Sequence, residues 1–226
     1  FFPAADFLSF DTDANRNAIL DGLRSEGVPS KQVILLDAFK GRLIQKCPAT
    51  KGMICCNYRL INSGFNCVYS CAHCYLQSYL NSYGILLFTN EAEILAGCRE
   101  FIESSDPSFM TRIGTGEFTD SLLIDEVTGL SRTLVETFAP HRHLFLELKT
   151  KSANIDHLLD ILVQLVLLGH QSAPFIEFNI HFFAFFTFKI VEQIRDHLDN
   201  TRKQTDTHEH EENFLIDDFL TFLWSA

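Results

Sequence analysis

Three closely spaced cysteines are the residues of this chain with the clearest capacity for chemistry. Cys67, Cys71 and Cys74 follow a C-x3-C-x2-C spacing, and they account for three of the seven cysteines. Thiolates are soft ligands that favour iron and zinc. Three of them on one short segment suit an iron–sulfur cluster that is held by three of its four irons. The fourth iron would then stay open to an exchangeable ligand.

Two other interpretations of the cysteines stay open at this level. With Cys55 and Cys56 nearby, the three residues could form a structural zinc site, which prefers four closed ligands. They could also be buried thiols that bind nothing. A disulfide framework fits less well, because the count of seven is odd and the N-terminal residues 1–10 lack the basic region of a signal peptide. We therefore expect a reducing, cytoplasmic location.

Length and composition predict one globular core. The chain has 226 residues, of which 46% are hydrophobic and 21% are charged, enough for one sizeable core and short for two. The longest apolar runs, around residues 161–168 and 182–188, are too short or too interrupted to span a bilayer. We expect no membrane partner.

The formal net charge of −11 argues against a DNA-binding surface that covers the whole protein. The charge is unevenly distributed, however. Residues 31–59 carry six basic side chains against one acidic one, Asp37, whereas residues 177–226 carry ten acids against four bases. A local basic face near the cysteines is compatible with this pattern, although such a run is also typical of ordinary solvated surface.

Apolar periodicity and turn signals predict alternating helices and strands. We expect helices over residues 13–26, 75–83, 91–103, 120–138 and 154–168, and strands near residues 54–61, 84–89, 109–113 and 143–150. Residues 32–39 are either a buried strand or the start of a helix. Asn90 is a predicted helix cap, and Thr119 or Asp120 is another. This alternation favours an α/β fold with a parallel sheet. Further along the chain, residues 175–191 could be a strand that runs into a helix ending near residue 200. A polar run over 201–212 and an amphipathic helix over 213–224 follow.

Several segments together resemble the spore photoproduct lyase family of the radical S-adenosylmethionine (SAM) superfamily. The resemblance covers roughly residues 28–165 in a consistent order. It is carried by Lys46-Cys47-Pro48, Met53–Arg59, the cysteine triplet, Tyr75–Asn81, Gly114–Leu122 and Leu148–Lys151. It implies a radical SAM partial (βα) barrel, shortened or diverged in its C-terminal half, with chemistry at the C-terminal ends of the strands. We accordingly expect an N-terminal segment at 1–45, the partial barrel at 46–200, and a polar linker with a helix at 201–226.

The resemblance also implies an activity. A [4Fe–4S] cluster on Cys67, Cys71 and Cys74 would reductively cleave SAM to a 5′-deoxyadenosyl radical, which abstracts hydrogen from a substrate. An electron donor such as a flavodoxin or a ferredoxin would be one partner. In this family the substrate is a thymine dimer in DNA, which must leave the base stack to react. Damaged DNA is therefore the second expected partner.

Further site residues follow from the same resemblance. Gly116 and Glu117 resemble a glycine–glutamate motif that holds the SAM amino group, Thr119 supplies a hydroxyl nearby, and Lys151 matches a lysine expected at the SAM carboxylate. Tyr75 matches a tyrosine near SAM that acts in hydrogen transfer, which makes it both a catalytic and a cofactor-binding candidate. The ordinary alternatives are an acid in a first helical turn for Glu117, a helix cap for Thr119 and a surface lysine for Lys151.

Two positions depart from the family pattern. Glu117 stands where the lyases have the cysteine that returns a hydrogen atom to the product, and His73 stands where a tyrosine is expected. A carboxylate cannot donate a hydrogen atom to a carbon radical. The sequence thus also permits a radical SAM enzyme that acts on a substrate other than nucleic acid, or a metal-binding protein without catalytic activity.

Overall fold

The structure is a computed structural model that describes residues 5–47, 52, 57–72, 74, 76–79, 82–152 and 154–161. Its helices are α1 (Asp13–Ser25), α2 (Leu76–Tyr79), α3 (Glu91–Ser104), α4 (Asp125–Thr128) and α5 (Leu130–Phe138). Its strands are β1 (Ile34–Asp37), β2 (Ile44–Lys46), β3 (Arg59–Ile61), β4 (Gly64–Phe65), β5 (Ile85–Phe88), β6 (Thr111–Thr115) and β7 (Leu144–Leu148). Short 3-10 helices cover Ser30–Gln32 and Asp156–Leu158.

The strands form two mixed sheets. One has the order β1-β5-β4, and the other has the order β2-β3-β6-β7. The pairs β1–β5, β3–β6 and β6–β7 are parallel, as the alternation of helices and strands predicts. The pairs β2–β3 and β4–β5 are antiparallel. The chain is therefore α/β as predicted, but its parallel strands are divided between two sheets that each carry an antiparallel strand at one edge.

The hydrophobic core lies between the larger sheet and its helices. Helix α5 packs on β7, and α3 packs on α5. The core side chains are fully or almost fully buried: Ile113, Leu144, Leu146 and Leu148 from the strands, and Ile94, Cys98, Leu134, Val135 and Phe138 from the helices. Each buried side chain of this size contributes about 1.5–3 kcal/mol of transfer free energy. This packing fixes β6 and β7, whose C-terminal ends lead into the predicted site residues.

Local sequence explains where α1 begins and ends. The Thr12 hydroxyl accepts a hydrogen bond from the Asn15 N–H at 3.1 Å, which caps the N-terminus. Gly27 follows the helix with a φ of +78°, a conformation that glycine adopts without steric cost. Helix α3 also begins where predicted, but the Asn90 side chain does not cap it. That side chain instead bonds the backbone of Phe39, accepting from its N–H at 2.8 Å and donating to its carbonyl at 3.1 Å.

The prediction of one helix over 120–138 was wrong. Helix α4 begins at Asp125 and is separated from α5 by Gly129, which has a φ of +67°. Asp120 does not cap a helix, because its carboxylate accepts hydrogen bonds from the β7 side of the fold. The helix predicted from 75 is also shorter, since α2 ends at Tyr79 and residues 82–83 are not helical.

Several predictions fall outside the described residues. These are Tyr75 and His73, the continuation of the last predicted helix from 162 to 168, and the elements predicted beyond residue 169. The domain boundaries and the partial barrel likewise stay predictions. Within the described part of the chain, the helices are too short or too polar to cross a bilayer.

Candidate metal and cofactor site

The loop that carries the three cysteines starts directly after β4 and is anchored by its first residue. Asn66 has a φ of +69°, which asparagine tolerates better than most residues. Its N–H donates to the Phe118 carbonyl at 2.8 Å. Its side chain donates to the Gly84 carbonyl at 2.9 Å and accepts from the Cys67 N–H at 2.9 Å. Residues 66–74, the cysteine loop, are thereby tied to β5 and to the segment that follows β6.

Backbone hydrogen bonds organise the cysteines within this loop. The Tyr69 N–H donates to Cys67 Sγ at 3.4 Å, and the Cys74 N–H donates to the Cys71 carbonyl at 3.0 Å. All three thiols are half-buried and none is in a disulfide. Burial raises the pKa of the Cys67 thiol, whereas the Tyr69 N–H and the nearby Lys31 ammonium act against that rise.

The donor set fits an iron–sulfur cluster. Three half-buried thiols lie on one tethered loop, and one of them accepts a backbone N–H, the kind of hydrogen bond to sulfur that tunes such clusters. Among the described residues, no three His, Cys, Asp or Glu side chains come together around a single metal ion. Each thiolate of a [4Fe–4S] cluster binds a different iron, so a cluster does not require the sulfurs to meet at one ion.

The Gly116–Glu117 turn lies at the C-terminal end of β6, where chemistry is expected in a parallel α/β fold. Gly116 has a φ of +83°, and a Cβ there would overlap Ser121 Oγ and approach the Lys149 carbonyl to 2.9 Å. Two hydrogen bonds tie the turn to the residue after β7. The Ser121 N–H donates to the Lys149 carbonyl, and the Lys149 N–H donates to Ser121 Oγ, both at 2.9 Å. The turn therefore requires glycine at position 116.

Asp120 connects the same turn to the segment that contains Lys151. Its carboxylate accepts hydrogen bonds from the Leu122 N–H at 3.0 Å, the Thr150 hydroxyl at 2.7 Å and the Lys151 N–H at 2.5 Å. Thr119 is buried, and the Lys151 side chain is exposed. Asp120 was missed as a site residue because the sequence interpretation assigned it to a helix cap.

Glu117 has a cationic neighbour that the sequence did not indicate. Its Oε2 lies 3.5 Å from Lys149 Nζ, and both side chains are about one-third exposed or less, at 28% and 33%. Lys149 Nζ also lies 4.0 Å from Glu147 Oε1 and 4.4 Å from the centre of the Tyr58 ring. Lys149 is thus a lysine beside Glu117.

A polar cluster made of Tyr58, Arg112, Glu147 and Lys149 extends away from this pair. Glu147 is buried at 1% exposure and accepts a hydrogen bond from Arg112 at 2.7 Å. Burial, together with the charges of Glu147 and Glu117, raises the pKa of Tyr58. Gly114 makes room for the cluster, since a Cβ there would overlap the Tyr58 hydroxyl and the Glu147 carbonyl.

A cavity of about 260 Å³ opens on another side of the turn. Its walls include Thr115, Thr119, Asp120 and Ser121 together with the end of β5 at Phe88 and Thr89, but neither Glu117 nor any cysteine. Small-molecule sites usually measure roughly 300–1,000 Å³. Of the predicted site residues that the structure describes, Thr119 is the one that lines this cavity.

The structure brings two of the predicted groups of site residues together. Gly116, Glu117 and Thr119 share one turn, Lys151 is bonded to that turn through Asp120, and the cysteine loop is bonded to it through Asn66 and Phe118. The rings of Phe65 and Phe118 pack edge to face at 5.4 Å across the same junction. These contacts join sequence segments that are about 50 residues apart.

Comparison with known proteins shows the family to which the chain belongs. A family model described as spore photoproduct lyase matches residues 55–203, which is more than half of the chain. The chain therefore belongs to the spore photoproduct lyase family. No curated protein matches it.

Solved structures of spore photoproduct lyases also resemble the chain. One is complexed with dinucleoside spore photoproduct, at 21% identity and a TM-score of 0.49. Another is a mutant with bound AdoMet and dinucleoside spore photoproduct, at 21% identity and a TM-score of 0.48. Each match covers 69% of this chain and 41% of the solved chain. This chain thus spans about two-fifths of the length of those proteins.

Proposed function

We propose that this protein is a radical SAM enzyme in which Cys67, Cys71 and Cys74 hold a [4Fe–4S] cluster, with the described strands forming part of a (βα) barrel. The observation that carries the proposal is the 2.8 Å hydrogen bond from the Asn66 N–H to the Phe118 carbonyl. It joins the cysteine loop to the Gly116–Thr119 turn, which supports a single site for the residues assigned to the cluster and those assigned to SAM. A reducing, cytoplasmic setting and an electron donor such as a flavodoxin or ferredoxin are part of this proposal.

The chain's own residues would bind and orient SAM. The Glu117 carboxylate is suited to the ammonium of an amino acid, because a charge-assisted hydrogen bond is about twice as strong as a neutral one. Thr119 offers a hydroxyl, Lys151 a cation for the carboxylate, and Tyr75 a ring next to the last cysteine. When bound, the cluster would supply the single electron that cleaves SAM. The protein's remaining work is to exclude water and hold one substrate C–H bond in place.

Damaged DNA is the proposed substrate, since thymine-dimer repair is the activity that family membership suggests. A second candidate is a substrate that is not nucleic acid, and one observation favours it. Glu117 stands at the hydrogen-donor position and lies 3.5 Å from Lys149, so this position offers a charged pair and no thiol. Both candidate functions require the cluster and SAM, and they differ only in the substrate from which the radical abstracts hydrogen.

An anaerobic turnover assay tests the proposal. The protein is reconstituted with iron and sulfide, reduced with dithionite, and supplied with SAM and an oligonucleotide that contains the spore photoproduct. We expect 5′-deoxyadenosine from the wild type and from Cys98→Ala, whose thiol lies in the hydrophobic core, but not from Cys71→Ala. Conversion of the lesion to two thymines that remain in the strand would support the DNA substrate, and 5′-deoxyadenosine without repair of the lesion would support the second candidate. No 5′-deoxyadenosine from any sample would contradict the proposal.

A further inference from the structure

Lys31 reaches the cysteine loop from an N-terminal segment that precedes the family match. Its ammonium donates to the Tyr69 carbonyl and, at 3.0 Å, to Ser70 Oγ. Both acceptors lie between Cys67 and Cys71. Because the family model matches residues 55–203, the family pattern did not point to this lysine.

Fixed elements position Lys31 for this contact. It lies in the 3-10 helix Ser30–Gln32, immediately before β1, which pairs in parallel with β5. At the start of that pairing the Ile85 N–H donates to the Val33 carbonyl at 2.9 Å. The neighbouring Gly84 carbonyl accepts the Asn66 side chain at 2.9 Å. The lysine and the first residue of the cysteine loop are therefore anchored to the same end of β5.

With this contact, both backbone polar groups of Tyr69 form hydrogen bonds. Its carbonyl accepts from the Lys31 ammonium, and its N–H donates to Cys67 Sγ at 3.4 Å. A charge-assisted hydrogen bond to a backbone carbonyl is strong enough to restrict a short loop. A positive charge at this place also favours whichever state of a nearby group is more negative.

We propose that Lys31 is a positioning residue that fixes the backbone between Cys67 and Cys71 and favours the reduced state of a cluster bound there. This inference rests on the proposed function, because it concerns the same cysteine loop. Loss of the ammonium would loosen the loop, so that iron escapes sooner. It would also remove a positive charge, so that the bound cluster becomes harder to reduce.

Two measurements on reconstituted protein test the inference without an activity assay. The first is the midpoint potential from a redox titration followed by electron paramagnetic resonance (EPR), and the second is the rate of iron release to a chelator. Four samples are compared: wild type, Lys31→Met, Lys31→Arg and Lys40→Met. Lys40 is exposed after β1, so Lys40→Met removes the same charge without removing a hydrogen bond to the loop.

For Lys31→Met we expect a lower potential, by about a tenfold change in the reduced-to-oxidised ratio, or about 59 mV for one electron. Iron release should be about tenfold faster, the scale for loss of a charge-assisted hydrogen bond. Lys31→Arg keeps the charge and should restore the potential, and Lys40→Met should match wild type. Ser70→Ala, which leaves the charge in place, should speed iron release and leave the potential unchanged. It also provides a test if Lys31→Met does not fold.

Three results would overturn the inference. Lys31→Met could match wild type in both measurements, Lys40→Met could shift the potential equally, or Ser70→Ala could release iron at the wild-type rate. In each of these cases the wild type still binds a cluster, so the proposed function stands. A wild type that binds no iron would instead overturn the proposed function together with this inference.

Discussion

Among single residues, Glu117 and Lys149 form the charged pair at which we propose that a ligand binds. The carboxylate and the ammonium are 3.5 Å apart, and each is partly exposed. An α-amino acid group carries the complementary pair of charges. A ligand ammonium would therefore compete with Lys149 for Glu117, and a ligand carboxylate could pair with Lys149, which follows β7.

Glu117→Gln should weaken SAM binding about tenfold to a hundredfold, because a hydrogen bond to a charged group contributes about 1.5–3 kcal/mol. The amide keeps the shape of the side chain and loses its charge. Equilibrium binding of SAM to reconstituted protein measures the effect. Glu136→Gln, on the exposed side of α5, is the matched control and should bind as wild type does. Equal affinity of Glu117→Gln and wild type would remove Glu117 from the site.

Cys98 should make stability depend on pH in the alkaline range. Burial raises the pKa of this thiol from 9.0 to about 12. The folded state keeps the proton while the unfolded state loses it, so the stabilisation is fully present below about pH 9 and is lost as the pH rises through about 12. The free energy of unfolding should fall by about 1 kcal/mol per pH unit from this group.

Denaturant unfolding of the protein without cluster, between pH 8 and pH 11, measures this slope. In Cys98→Ala the slope should be smaller by about that amount, whatever the cost of the smaller side chain in the core. An identical slope in wild type and Cys98→Ala would mean that the thiol is not buried as described.

At the scale of elements, Gly114 determines how closely β6 can approach the polar cluster. It pairs with Glu147 across the β6–β7 register, and a Cβ there would overlap the Tyr58 hydroxyl. Gly114→Ala should lower the free energy of unfolding by about 1–3 kcal/mol. Gly22→Ala is the control, because Gly22 lies within α1 with open space around it and should gain about 0.5–1 kcal/mol.

Denaturant unfolding compares these variants with Gly114→Ala combined with Tyr58→Phe. Removal of the hydroxyl should recover part of the loss, since it removes one of the two overlaps. If Gly114→Ala were as stable as wild type, the close packing of Tyr58 on β6 would be incorrect.

Sequence patterns predicted best the helices and strands whose boundaries depend on residues within the same segment. Alternating and apolar runs located β5 and β7, and apolar spacing located α1, which is predicted over residues 13–26 and observed over Asp13–Ser25. The prediction of one helix over 120–138 was wrong because Asp120 also forms hydrogen bonds with Thr150 and Lys151, in the segment after β7. Residues 121–124 therefore do not begin a helix, and Gly129 interrupts the remainder.

In the candidate site, too, the residues with a local sequence signal were predicted, and those brought together by long-range contacts were not. Spacing and family resemblance identified the cysteines and the Gly116–Glu117 turn. They did not identify Lys149 or the polar cluster. Strand pairing and register determine which side chains come into contact there, and the local sequence does not determine the pairing or the register. Lys31 was counted only as one charge in a basic segment, since its partners lie 38 and 39 positions along the chain.

In the whole molecule, the net charge does not describe every region, because basic and acidic side chains are unevenly distributed along the chain. The net charge is −11, yet Lys40, Arg42 and Lys46 are exposed within the first fifty residues. If damaged DNA is the substrate, these cations are available to neutralise phosphates near β1 and β2. Replacement of all three by glutamate should weaken DNA binding and lower the slope of log K against log salt by about 0.9 for each phosphate that is no longer neutralised.

Fluorescence anisotropy with a labelled duplex, over a range of salt concentrations, measures both effects. Arg99→Glu, on the exposed side of α3, is the control for added negative charge. A triple variant with the affinity and salt slope of wild type would show that DNA does not bind at this surface. Salt-insensitive binding by wild type itself would favour the substrate that is not nucleic acid.

We propose that the cysteine loop holds a four-iron cluster with one iron open to SAM. EPR of the anaerobically reconstituted and reduced protein, recorded with and without SAM and paired with metal analysis, is the decisive measurement. We expect about four irons per chain and a cluster spectrum that SAM alters in wild type, with both features lost in Cys71→Ala. About one zinc per chain, or a cluster spectrum that SAM leaves unchanged, would contradict it.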